Sequence, residues 1–444
     1  MDRLDNSTTR QLDNLYSVTI QLPLYNEPNV VARLIDAVAQ LDYAGPLDIQ
    51  VLDDSTDVTT AIVAERVAMW RARGVDIAHI RRGSRDGFKA GALAHGMALS
   101  GAELFAVFDA DFVPPRTFLT EAVAHFAGGI GMVQARWGHL NRDESILTRV
   151  QAIYLDGHFA IESAARHFSG CFFNFNGTAG VWRRQAIEDA GGWSASTLTE
   201  DLDLSYRAQL AGWKFVFLPM LEVPAELPAA LSGFQEQQHR WAKGSIQTAR
   251  KILPRIARSA EPWRVKIEAF FHLTNNSAYL LTVIVAILMI PAIVVRQRLG
   301  MGWTFALDAL VFLLSTGSVL RFYVEGQRFA GRARPRVREL LAVMPVGIGI
   351  SMRNAAAVLE GLFENGGTFR RTPKRGDARK ALRDRAPRLP VGELILAAFF
   401  ATAFASFAIA RQWASLPFVA LFLSGYGWAA WHGVRERVAF ALHF

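Results

Sequence analysis

The pattern of hydrophobic and polar positions changes character once along this chain. Up to about residue 260, short apolar runs alternate with polar turns and amphipathic stretches; beyond about 270, long runs without a charge take over. In the first part, residues 18–22 form a strand-like run ended by Pro23 and the polar turn Tyr25-Asn26-Glu27. Pro28 suits the first turn of a helix reaching about Leu41. Further strands are predicted over 48–52, 77–80 and 104–108, with helices over about 58–73 and 89–99 between them. Strands alternating with helices imply a mostly parallel sheet with helices on its faces. Ligands of such sheets bind outside the carboxyl ends of the strands, and here Asp53-Asp54 and Asp109-Ala110-Asp111 fall at those ends. No Gly-x-Gly-x-x-Gly follows the first strand, which excludes a dinucleotide-type site.

The second part reads differently. Residues 235–266 carry Arg, Lys and Gln among regularly spaced apolar positions, as an amphipathic helix on a membrane surface does. Residues 278–295 hold no charge, 303–320 only Asp308, 391–410 only Glu393, and 413–431 none. Each run approaches the ~20 residues that cross a bilayer. The predicted spans lie near 273–295, 303–323, 391–410 and 413–432. A shorter run, 340–352, is expected to lie at the interface or re-enter.

Composition sharpens this picture. Of the 444 residues 51% are hydrophobic and 20% charged, with a net charge of +8. Fifteen Lys and Arg residues fall between 324 and 390, and the positive-inside rule puts that segment in the cytoplasm. Two hairpins then leave both the N-terminal domain and the C-terminus on the same side. No basic, aromatic nucleic-acid motif is visible, and a lone cysteine, Cys171, excludes an internal disulfide. The expected organisation is a cytosolic catalytic domain over 1–232, amphipathic interfacial helices over 233–270, and a transmembrane region over 271–444 with a cytosolic or interfacial segment at 324–390.

The polar clusters point to one chemistry. Asp109 and Asp111 share a cation if the chain turns after its strand, which Phe112-Val113-Pro114-Pro115 provides. Hard oxygen ligands suit Mg²⁺ or Mn²⁺ bridging a diphosphate. Asp53-Asp54 can bind a nucleobase edge and ribose hydroxyls, or cap the next helix. Lys89, at a glycine-flanked helix start, suits phosphate. Asp201, with Glu200 as the alternative, suits the general base that an inverting transfer needs. Gln237 and Trp241 share a helix face with Arg240 beside them; an arginine suits a diphosphate and a tryptophan a sugar ring. The tight turn Asn176-Gly177-Thr178 can line an acceptor site. A receptor or scaffold would have lost an acid or the Arg-Trp pair, and neither is lost.

These strings together resemble the membrane-embedded processive family 2 glycosyltransferases, most closely the cellulose-synthase-like proteins that make mannan, glucomannan or glucan. The matching segments are QLPLYNE (21–27), VLDDSTD (51–57), GFKAGAL (87–93), AVFDADF (106–112), VQARW (133–137), FNGTAGVWR (175–183), TEDLDL (199–204), GWKFVFL (212–218) and QQHRWAKG (237–244). A weaker echo lies at 369–374. The resemblance implies an α/β GT-A fold, a Rossmann-like mixed sheet, followed by helical membrane segments. It implies that Tyr25, Glu27, Asp53, Asp54, Lys89, Asp109, Gln237 and Arg240 bind the nucleotide sugar. Asp109 and Asp111 would hold the metal and Asp201 would be the base. Asn176, Gly177, Thr178, Glu200 and Trp241 would meet the acceptor. Asn176 stands where cellulose synthases have a cysteine, which favours the mannan and glucan-like branch. The implied donor is of the UDP-glucose or GDP-mannose type. The acceptor is a growing glycan, or, in the runner-up reading, a ceramide or diacylglycerol lipid. The expected setting is a multi-pass protein of a bacterial inner or plasma membrane. Export of the chain needs a lumen, for which Arg321, Asn354 and Trp428 are candidates.

Overall fold

A computed structural model describes residues 15–367 and 388–443. The echo at 369–374 and most of the basic stretch after it lie outside the described residues. The chain divides into two compact units.

The first unit comprises the residues up to Gly138, Arg166–Ala195 and Glu200–Ala225. Its sheet has seven strands: β1 (Val18–Leu24), β2 (Leu47–Asp53), β3 (Ile77–Ile80), β4 (Leu104–Val107), β5 (Ile130–His139), β6 (Gly180–Arg183) and β7 (Lys214–Ala225), in the order β3-β2-β1-β4-β6-β5-β7. The first four pair in parallel, in the register Val18 to Leu47 and Val18 to Leu104. β6 runs antiparallel to both β4 and β5, so the sheet is mixed. Helices α1 (Val31–Val38), α2 (Thr59–Ala72) and α3 (Phe88–Ala98) connect the parallel strands, and α4 (Phe118–Val123) follows β4. α1 buries Val31, Leu34, Ile35 and Val38, a 3–4 spacing that lays one face on the sheet. Val18, Ile20 and Leu22 on β1, with Leu104 and Ala106 on β4, join the core beneath it. β1 and β4 are central strands and mostly apolar; the buried polar exceptions on β1 are paired, Thr19 donating to Asp48 at 2.7 Å and Gln21 to Gln50 at 3.1 Å.

In the second unit, α5 (Ile146–Gly157) starts from a capping box in which the Ser145 hydroxyl accepts the Thr148 amide. It runs on through a π-helical segment (His158–Ser163) into the short α6 (Ala164–Phe168). Back in the first unit, α7 (Arg184–Asp189) follows β6, and α8 (Glu200–Leu210) precedes β7. The second unit resumes with α9 (Leu231–Arg258), α10 (Trp263–Thr274), α11 (Ser277–Arg298), α12 (Thr304–Phe329), α13 (Val337–Gly349), α14 (Ser351–Phe363), α15 (Val391–Ile409) and α16 (Leu416–His443).

Among the described residues, α11, α12 and α15 are long and apolar enough to cross a membrane, and the pair α13–α14, bent by 44°, makes a fourth if it is one broken span. α16 covers the expected span at 413–432 but does not meet that test, since Gly, Tyr, Trp and His dilute its aliphatic residues. The stretch at 340–352 falls in the bent pair. α9 is less of a surface helix than its charge pattern implies: it packs against α14 and α10 and buries Ala242, Lys243, Gly244 and Ser245. The end of α12 is held to α5 through polar groups. Gln327 donates to Asp156 Oδ2 at 2.7 Å and His139 Nε2 sits 3.0 Å from Asp156 Oδ1, all three side chains being buried. Of the lumen candidates, Asn354 is fully buried and Trp428 packs beside a core cluster, while Arg321 is exposed.

Candidate active site

The first unit brings most of the expected site residues to the carboxyl ends of its parallel strands. After β4 the chain turns at once, the Phe112 amide donating to the Asp109 carbonyl at 3.1 Å, and the expected break after the strand is present. The Asp109 carboxylate is 37% exposed, whereas Asp111 is buried. Among the described residues no group of three or more His, Cys, Asp or Glu forms a metal cage. Two carboxylates on one turn suit a cation that completes its shell with phosphate oxygens and water.

Lys89 reaches across from the start of α3. Its ammonium donates to Asp109 Oδ1 at 2.5 Å and to the Gly177 carbonyl at 2.8 Å. Burial opposes its charge, but Asp109, Glu200 and Asp201 together outweigh that and hold its pKa above the ordinary lysine range.

Asp201 lies in the first turn of α8. Burial and the neighbouring Glu200 charge push its carboxyl up to about 7, against the opposite pull of Lys89 and the Leu202 amide. A carboxylate that accepts a proton near neutrality is what a general base requires. Gly177 has φ +83°, and a Cβ there would come within 2.9 Å of Asp201 Oδ2. Only glycine gives both that backbone and that room.

The turn 174–180 is a support for the acids. The Thr178 hydroxyl, fully buried, accepts the Asp109 amide at 2.9 Å, so it positions Asp109. The Asn176 amide donates to Gln134 Oε1 at 3.0 Å and its carboxamide oxygen accepts from Asn174. Ala179 follows with φ 54°. Asn26 and Phe88 also hold positive φ, so among the described residues three of the four such non-glycine residues lie in motifs of this crevice, where strain is expected to concentrate.

Asp53 and Asp54 are already engaged by protein groups. Asp53 accepts the Ser55 amide and stands 2.9 Å from His79 Nε2; these bonds override the upward pull of burial and hold its carboxyl at about 2. Asp54 is paired on both oxygens with Arg82, at 2.8 and 2.5 Å. Of the expected donor residues at the first strand end, Glu27 is buried, and Tyr25 is partly exposed beneath the Arg85 guanidinium, 3.4 Å from its ring centre. His79, Arg82 and Arg85 were missed from the sequence, although the basic run 79–85 after the third strand was visible.

Gln237, Arg240 and Trp241 belong to the second unit, all partly exposed on α9. His239, Arg240, Lys243, Arg353, Glu236, Glu360 and their neighbours line a cavity of about 190 Å³ there. Lys243 is paired with Glu360 at 3.1 Å and with Glu364, and Arg353 donates to Gln235 at 2.9 Å. In this unit Gly244 stands so close to Thr199 that a Cβ would lie 2.6 Å from its methyl group.

A family model described as glycosyltransferase-like family 2 matches residues 16–244, just over half of the chain and all of the motifs above. The chain belongs to glycosyltransferase family 2. Within this family it is similar to glucomannan 4-beta-mannosyltransferase 1 of Oryza sativa subsp. japonica, 39% identical over 322 residues, 69% of this chain and 62% of the relative. The probable glucomannan 4-beta-mannosyltransferase 9 of the same plant is 36% identical over 401 residues, 85% of this chain and 73% of that one. The match thus spans less than two thirds of the first relative's length. A mannosyltransferase from Pyrobaculum calidifontis, solved with GDP-Man and Mn²⁺, aligns with a TM-score of 0.51 at 18% identity, covering 79% of this chain and 88% of that one. This likeness bears out the GT-A fold expected of a family 2 member, and the family model with the plant relatives bears out the family read from the motifs.

Proposed function

We propose that this family 2 protein is an inverting glycosyltransferase that extends a β-linked mannan, glucomannan or glucan backbone from a nucleotide-diphospho-hexose. The observation that carries the reading is the Asp201 carboxyl, raised to about 7 and set against Gly177 beside the Lys89–Asp109 pair. The similarity to glucomannan mannosyltransferases supports a hexose polymer over a lipid product.

In the proposed reaction the acceptor hydroxyl oxygen attacks the anomeric carbon, its proton passes to the Asp201 carboxylate, and the bond from that carbon to the diphosphate breaks. Inversion follows from attack opposite the leaving group. Lys89 supplies positive charge for the departing nucleoside diphosphate. Asp109 and Asp111 would hold a Mg²⁺ or Mn²⁺, which neutralises diphosphate charge when bound. The Thr178 hydroxyl fixes the Asp109 backbone, and Gly177 keeps the space in front of the base open. For Arg240 and Trp241, which belong to the second unit, the family motif implies contacts with phosphate and with a sugar. The apolar helices of the second unit fit an integral membrane setting with the catalytic unit in the cytosol, and export of the product through the membrane part completes the reading.

The stereochemical course tests the proposal. Proton NMR of the product made from an α-configured nucleotide sugar is expected to show a β anomeric signal. An α signal would refute the inverting mechanism and with it the role of Asp201.

A further inference from the structure

From Gly244 onward, α9 carries a row of residues directed at one short stretch of chain. Gly244, Gln247, Thr248 and Lys251 recur at the 3–4 spacing of a single helix face. Gln247 is 4% exposed, and its carboxamide is matched on both polar atoms. Its Oε1 accepts the Leu198 amide at 3.0 Å, while its Nε2 donates to the carbonyls of Gly366 at 2.7 Å and Glu364 at 3.2 Å. The Thr248 hydroxyl lies 3.2 Å from the Thr199 hydroxyl, both residues being buried, and the Lys251 ammonium donates to the Ser196 hydroxyl at 2.9 Å. Where Gly244 faces Thr199, a Cβ would also come within 2.9 Å of the Thr199 amide nitrogen.

Residues 196–199 belong with α9 in the second unit. They form neither helix nor strand, so side chains of α9 set the course of this strap. Glu200 and Asp201 follow directly in the chain and open α8. A carboxamide suits the task. It is neutral, and its one plane carries both the acceptor for Leu198 and the donors for the turn after α14. Arg250 also donates to the Gly361 and Glu364 carbonyls, at 3.1 Å each. The end of α14 therefore has a second anchor, whereas the Leu198 amide is held by Gln247.

We propose that Gln247 is a positioning residue of the transfer: by holding the Leu198 peptide, it fixes where the first turn of α8 begins and so where the Asp201 carboxylate stands. The inference rests on the reading of Asp201 as the base. A base must lie within hydrogen-bond reach of the hydroxyl it deprotonates, and a misplacement of about 1 Å can cost roughly 10²-fold. Without its anchored strap the first turn of α8 is free to fray, as helix ends do, and water reaches the carboxylate. Burial is the largest cause of the raised Asp201 carboxyl, so that exposure moves it back toward the ordinary range.

The experiment uses the full chain in lipid nanodiscs and follows initial rates with GDP-mannose or UDP-glucose, whichever the wild type uses, across the neutral pH range. Gln247→Leu is expected to lower kcat by about tenfold or more, with the donor KM within about twofold of wild type. It is also expected to move the acidic limb of kcat/KM down by at least about half a pH unit. A loss of folded protein alone would lower kcat and leave that limb in place. Arg250→Ala, which weakens the hold on α14 and not on the strap, is expected to stay within about twofold of wild type. Gly244→Ala removes no hydrogen bond; its added methyl meets Thr199, and it should reproduce both the kcat loss and the shifted limb. Thermal melts check folding, and where Gln247→Leu does not fold, Gly244→Ala decides on the same two readouts. An unaltered kcat, a loss with the limb unmoved, or an equal loss in Arg250→Ala would overturn the inference and leave the base reading standing. A wild type that uses neither donor or has no acidic limb, or an Asp201→Asn that keeps the limb, would sink both.

Discussion

Asp201 owes its chemistry to its neighbours. Partial burial and Glu200 destabilise its ionised form, and Lys89 offsets only part of this. As the proposed base, Asp201 would work ionised, so kcat/KM is expected to fall as pH drops through about 7, and the pH profile of Asp201→Asn to lack that acidic limb. The same substitution should lower kcat by roughly 10²–10⁴-fold, the usual worth of a general base. Linkage gives an independent sign. A carboxyl whose folded pKa lies above its unfolded value weakens the fold as pH rises through that range. Asp201→Asn should therefore melt higher than the wild type at pH 8 and alike near pH 4. A melt unchanged at pH 8 would contradict the strained carboxylate. Gly177→Ala must place a Cβ within 2.9 Å of Asp201 Oδ2 on a left-handed backbone. It is expected to cut kcat by about tenfold or more while nucleotide affinity changes little.

At the scale of elements, α9 and α14 are joined by contacts that neither helix announces alone. A Cβ on Gly361 would lie 2.7 Å from the Lys243 carbonyl, and Lys243 holds Glu360 and Glu364. Gly361→Leu should separate the helices and lower the melting temperature by several degrees, at roughly 2–4 °C per kcal/mol of overpacking. Glu360→Gln should cost little by comparison, since its side chain is 38% exposed and such pairs contribute up to about 1 kcal/mol. A larger loss in Glu360→Gln than in Gly361→Leu, read by thermal melts, would reverse that ranking.

The elements also show what the sequence made legible. The strands expected at 18–22, 48–52, 77–80 and 104–108 sit within one or two residues of β1 to β4, because buried parallel strands write continuous apolar runs. β7 escaped notice because Pro219, Glu222 and Pro224 interrupt its pattern. β6 escaped because it is four residues long behind a glycine-rich turn. Asp53 and Asp54 were legible as strand-end acids. Their partners were not, since His79 and Arg82 lie 26 and 28 residues away and meet Asp53 and Asp54 only through the parallel pairing of β2 with β3.

For the whole molecule, a catalytic unit of family 2 is continuous in sequence with helices apolar enough for a bilayer. Such helices expose large side chains such as Leu288, Leu313 and Ile395 that water would not tolerate in number. A soluble transferase has no need of them, whereas a membrane-associated one does. The most direct test of this account is the size of the product. Purified protein in lipid nanodiscs, given Mn²⁺ or Mg²⁺ and radiolabelled GDP-mannose or UDP-glucose separately, is expected to yield a long polymer degraded by an endo-β-glycanase from at least one donor, and none from Asp201→Asn. Label confined to a chloroform-soluble product would contradict the polymer reading and make the protein a lipid glycosyltransferase.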